Sequence, residues 1–437
     1  MVITLKKKSM PLLLIDMILF AICFGRFFID IFGFPGVIKY VSDGLIIILI
    51  GYIFRKLFYR RAVYLSENVK KILLSILIII SVILVSAIFD KSPLMLMLWG
   101  FRNTFKGIIL FVACVLFWKK EDITRLAKKI NFILLINAVI CVYEYFVLDL
   151  QGDNVGGIFG TSEGCNAPLN VFLIIATAWN ALRYAEKKQR IWKTLFFVGL
   201  CAGIAGMAEL KIYIVEVLVV MLVVGAFSKG IIKKIVLMLA GVVFVLVSIH
   251  FVETLIPDWE GFFTVENMWE MLTDEDGYTN QGDLNRFTSM QMLNKMIFRE
   301  GTNWFGIGLG NAEYSDSYDF LNSKFYSKYG HLHYGWFTIA KTYIELGYFG
   351  ILSMLFVWIN CAGVAIKGAI RAKDKQAVYC KMAITMAIVT PILFIYNSTM
   401  HIDSSCLVYA CMSLGYIVTR EKEGNYYDKE ICEKASL

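Results

Sequence analysis

The sequence predicts an all-α polytopic membrane protein with about twelve transmembrane helices and one large, partly helical loop on the outer face. Three observations lead there. Hydrophobic residues make up 58% of the 437-residue chain, aromatics alone 15%, and the mean hydropathy is +0.65. Only 6 prolines interrupt it. The apolar residues fall into long runs separated by short basic loops, and a hydrocarbon core of about 30 Å takes roughly 20 residues of helix.

Along the chain, Lys6-Lys7-Lys8 precede an apolar run from Leu12 to Phe34, too long for a signal-peptide core and without a small-residue cleavage site. Spans are expected at 11–32, 36–54, 71–89, 104–118, 130–148, 168–184, 194–208, 211–228, 235–252, 346–366, 380–397 and 403–419. This divides the chain into helices 1–9 (1–252), a long outer loop (253–345), helices 10–12 (346–419) and a cytoplasmic tail (420–437). Alternate loops carry Arg55-Lys56 with Arg60-Arg61, Lys119-Lys120, Lys187-Lys188, Lys233-Lys234 and Arg371. The positive-inside bias puts those loops and both termini in the cytoplasm, and the segments 149–168 and 253–333 outside.

The net charge of +8 is spread over these loops, so no nucleic-acid partner is expected. The ten cysteines lie in or beside apolar runs without CxxC or Cys/His spacing, which supports neither a disulfide framework nor a metal site. Cys165 is placed on the outer side, with no obvious partner.

The outer loop is too aromatic for a disordered linker. Leu284, Phe287, Met290, Leu293, Ile297 and Phe298 recur at helical spacing, predicting an amphipathic helix over 284–299. A second amphipathic piece is expected over 333–346. Gly306-Ile307-Gly308-Leu309-Gly310 lacks the βαβ setting of a dinucleotide site and reads as a tight packing turn. Asp274-Glu275-Asp276-Gly277 reads as a solvated acidic turn, because the later bidentate acid of a calcium loop is missing.

Ionisable residues near the membrane are costly and mark candidate sites. Glu209 and Lys211 sit in a tight hairpin, either as a snorkelling interfacial pair or with Lys211 holding an anion. Arg102 and Lys106 lie at an outer boundary, against the positive-inside bias. Asp16, Arg26 and Glu216 are expected to pair within the bundle. Arg286 suits bidentate recognition of phosphate. His331 and His333, two of four histidines, close the loop; alternation would turn them to opposite faces, leaving one for proton transfer.

Arg286, the run Phe305 to Gly310, a following histidine, Glu345-Leu346-Gly347-Tyr348-Phe349-Gly350 and the glycine-then-asparagine turn at 156–170 resemble the O-antigen ligase and O-antigen polymerase family. The layout covers nearly the whole chain; the specific motif covers 286–350. Two departures stand out: Lys211 replaces the family's arginine, and His333 lies farther from Glu345 and is followed by Tyr334 instead of asparagine.

The resemblance implies a type-C-like, metal-independent glycosyltransferase without a cofactor. Its donor would be an undecaprenyl-pyrophosphate-linked oligosaccharide and its acceptor a glycan hydroxyl. Membrane lipid, a chain-length regulator and a flippase would be its other partners. The expected catalytic residues are Arg286, Lys211 and His333; those expected to bind substrate are Arg102, Lys106, Glu209 and His331. The chemistry is consistent: cations on a pyrophosphate leaving group stabilise the charge that builds as the bond breaks. A histidine, with an ordinary pKa of about 6.5, can take the acceptor's proton. Polymerisation of repeat units is the preferred activity; ligation to a lipid core is the near alternative. A transporter or flippase is a second alternative, and a non-catalytic assembly subunit would leave the outward cations unexplained.

Overall fold

The computed structural model describes residues 9–58, 67–90, 92–255, 264–273, 277–279, 282–298, 303–315, 318–371 and 374–434. Among them the regular elements are helical, and β pairing is limited to one antiparallel bridge between Tyr278 and Leu284. The first nine helices are α1 (Met10–Phe32), α2 (Val41–Phe58), α3 (Glu67–Asp90), α4 (Leu94–Phe117), α5 (Lys120–Phe146), α6 (Asn166–Ala185), α7 (Ile191–Met207), α8 (Lys211–Ala226) and α9 (Ile231–Leu255). The long loop carries the short helices α10 (Val265–Thr273), α11 (Ser289–Ile297) and α12 (Lys324–Tyr329). The chain then returns through α13 (Thr338–Arg371), α14 (Asp374–Tyr396) and α15 (Ser405–Lys434).

Among the described residues, eight helices are long and apolar enough to cross a membrane: α1, α2 with the 3-10 turn before it, α3, α4, α5, α9, α13 and α14. That complement is the makeup of a multi-pass membrane protein. The other four predicted spans coincide with α6, α7, α8 and the stretch Ser405–Arg420 of α15, which are shorter or more polar. Large apolar side chains such as Phe20, Ile47, Leu77, Val139, Ile232 and Leu246 face outward from the bundle, where lipid rather than water would suit them. By contrast, α6 is buried almost all round between Leu169 and Leu182, so it forms part of the bundle's core.

Local rules set several ends. Pro11 occupies the first turn of α1, and Gly33, with φ of 66°, closes it with its N–H donating to the Ile29 carbonyl. Other boundaries differ from the hydropathy reading. Helix α4 begins at Leu94, ten residues before the expected span, so Arg102 joins Lys106 inside it; α13 begins at Thr338 and contains Lys341 and Glu345. A hydropathy window stops at such charges, whereas the fold neutralises them with partners from distant segments. The amphipathic helix expected over 284–299 is shorter, at Ser289–Ile297. The acidic turn Asp274-Glu275-Asp276 lies outside the described residues.

The ion pairing expected among Asp16, Arg26 and Glu216 is replaced by other contacts. Asp16 pairs with Arg125 at 3.2 Å, Arg26 donates to the Ser162 hydroxyl at 3.0 Å, and Glu216 accepts from Asn170 at 2.9 Å. The Cys165 thiol, buried, points at the Asp153 carbonyl at 3.3 Å.

Helix α13 is broken at Gly347, whose φ of 63° and ψ of −159° leave neighbouring backbone groups without helical partners. The long loop supplies them. Ile307 and Gly308 donate to the carbonyls of Ile344 and Glu345 at 2.8 and 3.0 Å, and Asn303 Nδ2 donates to Tyr343 at 2.7 Å. In return, Tyr348 and Phe349 donate to the carbonyls of Asn303 and Trp304 at 2.9 and 3.0 Å. The glycine run is the packing turn that makes this approach possible. At Gly310, with φ of 89°, an added Cβ would stand 2.0 Å from the Leu96 carbonyl oxygen of α4. The loop is thereby docked onto α4 and α13, which positions everything described next.

Candidate active site at the junction of loop and bundle

Two of the residues expected to do chemistry are brought together by backbone pairing. The Leu284 N–H donates to the Leu332 carbonyl at 3.2 Å, laying the segment 283–286 alongside 332–333. Asp283, one residue before that bond, meets His333: Oδ1 and Nδ1 are 2.5 Å apart. The carboxylate is largely buried, at 10% exposure, while the imidazole is 44% exposed and stacked on Trp336 with centroids 4.1 Å apart. A carboxylate accepts, so Nδ1 is the donor in this pair. His333 sits at a φ of 50°, a left-handed conformation that is uncommon outside glycine, with the Trp336 ring and the Asp283 carboxylate as its side-chain contacts.

Arg286, at the end of the same paired segment, lies with its guanidinium carbon 4.2 Å from the Tyr396 ring centre and 5.6 Å from that of Phe337. Among the described residues no carboxylate pairs with it. Stacking on aromatic faces orients the fork and leaves its N–H edge to accept an anion. His331, two residues before His333, is exposed on the 3-10 turn Gly330–Leu332, so a turn replaces the alternating strand expected there.

Arg102 and Lys106 are occupied in a different way. Lys106, 3% exposed, contacts Asp43 and Asp403 at 2.6 Å each and the Ser42 hydroxyl at 2.8 Å. Arg102 contacts Asp43 at 2.8 Å and Asp403 at 3.6 Å, and covers the Trp99 ring at 5.0 Å. Two cations meet two carboxylates, so the group as a whole carries no excess positive charge. Neither acid was singled out in the sequence. The network continues through Asn103, which donates to Glu313 at 2.9 Å, and Lys341, which pairs with Glu313 at 2.6 Å. Glu345 in turn accepts from the backbone of Gly310 and Ala312 at 3.1 Å each, tying the glycine turn to α13.

Lys211 opens α8, its N–H donating to the Glu209 carbonyl at 3.0 Å across a hairpin in which Glu209 has a φ of 50°. This hairpin packs on the segment 152–166: Asn166 donates to the Ala208 carbonyl at 3.4 Å, and the Glu209 carboxylate lies against Gly152. The contacts that fix Glu209 thus run to the shorter loop rather than to the one carrying Arg286 and His333. His401, which the sequence offered no role, is buried in the turn between α14 and α15 with Nε2 3.3 Å from the Thr342 hydroxyl. Burial, with the Lys341 charge added, holds its pKa well below the ordinary 6.5.

Among the described residues no group of three or more His, Cys, Asp or Glu side chains is placed to hold a metal ion. The arrangement offers a histidine paired with a carboxylate, a guanidinium without an acidic partner among the described residues, and, separately, a charge-balanced cluster on α4. No protein-family model matches this chain, and no curated protein does.

Asp283 is the candidate site residue that sequence reasoning missed. Its one local signal is that it stands three residues before Arg286; its partner lies fifty residues away and has no local signature.

Proposed function

We propose that this protein is a metal-independent glycosyltransferase that polymerises undecaprenyl-pyrophosphate-linked repeat units into an envelope polysaccharide. The reaction would run at the outer face of the bacterial cytoplasmic membrane, with twelve spans and both termini in the cytoplasm. The observation that carries this reading is the Asp283–His333 pair, with Arg286 three residues along the chain from Asp283 and stacked on Tyr396. Its chemistry is that of an acyl-free group transfer needing one base and one anion clamp.

In this reading His333 Nε2 takes the proton from the acceptor hydroxyl as its oxygen attacks the anomeric carbon. The bond from that carbon to the pyrophosphate oxygen breaks, and the leaving group's added charge falls on Arg286, with Lys211 as the second candidate cation. Asp283 keeps the imidazole in the tautomer with a free Nε2 and stabilises the imidazolium that forms, as carboxylates do in other oriented histidine bases. Docking of the loop into the α13 break fixes these groups relative to the bundle. Transporters also use broken helices, but here the backbone groups freed at Gly347 are taken up by residues 303–308.

The test is chain extension by purified full-length protein in nanodiscs given lipid-linked repeat units. Products longer than one repeat are expected from the wild type. His333→Ala should abolish them, His331→Ala should leave most activity, and Asp283→Asn should lower turnover about 10- to 100-fold. Passage of intact substrate across liposomes without any lengthening would refute the reading. Transfer of a preformed long glycan to a lipid core, with no joining of repeats, would replace polymerase by ligase.

A further inference from the structure

Apart from the proposed catalytic pair, a group of aromatic and charged side chains gathers where the long loop meets α4, and the chemistry above does not use it. Tyr40 ends the 3-10 turn Gly36–Tyr40, Trp99 lies in the second turn of α4, and Tyr318 comes from the long loop. Their rings converge, with centroid separations of 6.4 Å for Tyr40–Trp99 and 6.1 Å for Tyr40–Tyr318. The Trp99 indole N–H reaches the Tyr314 carbonyl at 3.4 Å, so the loop that brings Tyr318 is tied to the wall that it completes. Next to the rings are Arg102, Asp43 and Asp403, with side chains 27, 19 and 33% exposed.

Aromatic rings at a membrane boundary are ordinarily belt residues, standing singly on the lipid perimeter. These three differ: they come from three separate segments and gather round a partly open ion cluster, a setting hostile to lipid tails. The cluster also does not suit an anion, because its two carboxylates offset its two cations and would repel phosphate. What it offers is a set of fixed donors and acceptors beside flat apolar faces. That combination matches a ring with an apolar C–H face and several hydroxyls.

We propose that Tyr40, Trp99 and Tyr318, with Arg102, Asp43 and Asp403, form a subsite for a neutral pyranose unit of the growing glycan. The identity of the ligand rests on the polymerase reading above; the subsite itself does not. Because Tyr318 belongs to the loop and the other rings to the bundle, the subsite exists only while the loop is docked.

The experiment measures binding of lipid-free oligosaccharides of one to three repeat units, released by mild acid from the host's own envelope polysaccharide. The receptor is full-length protein in nanodiscs, read by saturation-transfer NMR and calorimetry. Saturable binding is expected, weakened about tenfold by Trp99→Ala and by Tyr318→Ala, and largely kept by Trp99→Phe. Inorganic pyrophosphate should not displace the sugar. Absence of saturable binding to the wild type, unchanged affinity in both alanine variants, or displacement by pyrophosphate would each overturn the proposal. Binding that depends on these rings in a protein that never lengthens a chain would uphold the subsite while removing the polymerase reading.

Discussion

Replacing Lys341 by methionine should loosen the long loop without unfolding the bundle. Lys341 is 5% exposed and is the cation between two carboxylates, Glu313 on the loop at 1% exposure and Glu345 on α13 at 0%. Its Nζ lies 2.6 Å from Glu313 Oε2. Removing one partner of a buried pair costs about 3–5 kcal/mol, because the other charge stays behind without compensation. The Asn103 amide, 2.9 Å from the same oxygen, persists and offsets part of this. About 3 kcal/mol corresponds to roughly 10²-fold in the opening equilibrium of the docked segment, at 1.4 kcal/mol per tenfold. The readout is amide hydrogen exchange over residues 303–315, where Ile307, Gly308, Gly310 and Ala312 donate to α13. Their exchange should accelerate by about that factor, while the amides of α6 stay protected. Adding Glu313→Gln to Lys341→Met should restore part of the protection, since one of the two carboxylates facing the lost cation is then neutral. Unchanged exchange at 303–315 in the single variant, or no recovery in the double variant, would refute the account of how the loop is held.

Two further outcomes follow from the same geometry. Arg286→Lys should retain little chain extension and Arg286→Ala none, with expression and insertion unchanged, because one ammonium cannot reproduce a fork stacked on Tyr396; near-normal glycan length in Arg286→Ala would remove it from the site. The depressed pKa of His401 means that the unfolded chain binds its proton first, so its contribution to stability is complete above the ordinary 6.5 and is lost as pH falls below it. Thermal inactivation of the wild type should therefore quicken below about pH 6.5, and His401→Gln should flatten that part of the profile; an identical acid slope in the variant would assign the effect to another group.

Particular residues show how far the sequence reaches. The positions of α1, α3 and α9 are legible because lipid demands long apolar runs, and nothing distant alters that demand. Gly306 to Gly310 is legible as a packing turn because glycine clusters have few other uses outside phosphate loops. The starts of α4 and α13 are not, since Arg102, Lys106, Lys341 and Glu345 look like boundaries until Asp43, Asp403 and Glu313 arrive from elsewhere to neutralise them. The pairing of Asp16 with Arg125 is hidden for the same reason: 109 residues separate them.

By itself, then, the sequence determined a helical, membrane-spanning chain with one polar module, and singled out Arg286 and the His331/His333 pair within it. Hydropathy is a property of consecutive residues, so it survives without a fold. Tertiary structure alone decided that Asp283 orients His333, that Arg286 lies on aromatic rings instead of an acid, and that Arg102 and Lys106 are balanced by Asp43 and Asp403. Those are short-range electrostatic facts, set by distances of a few ångströms between residues that the chain places tens or hundreds of positions apart.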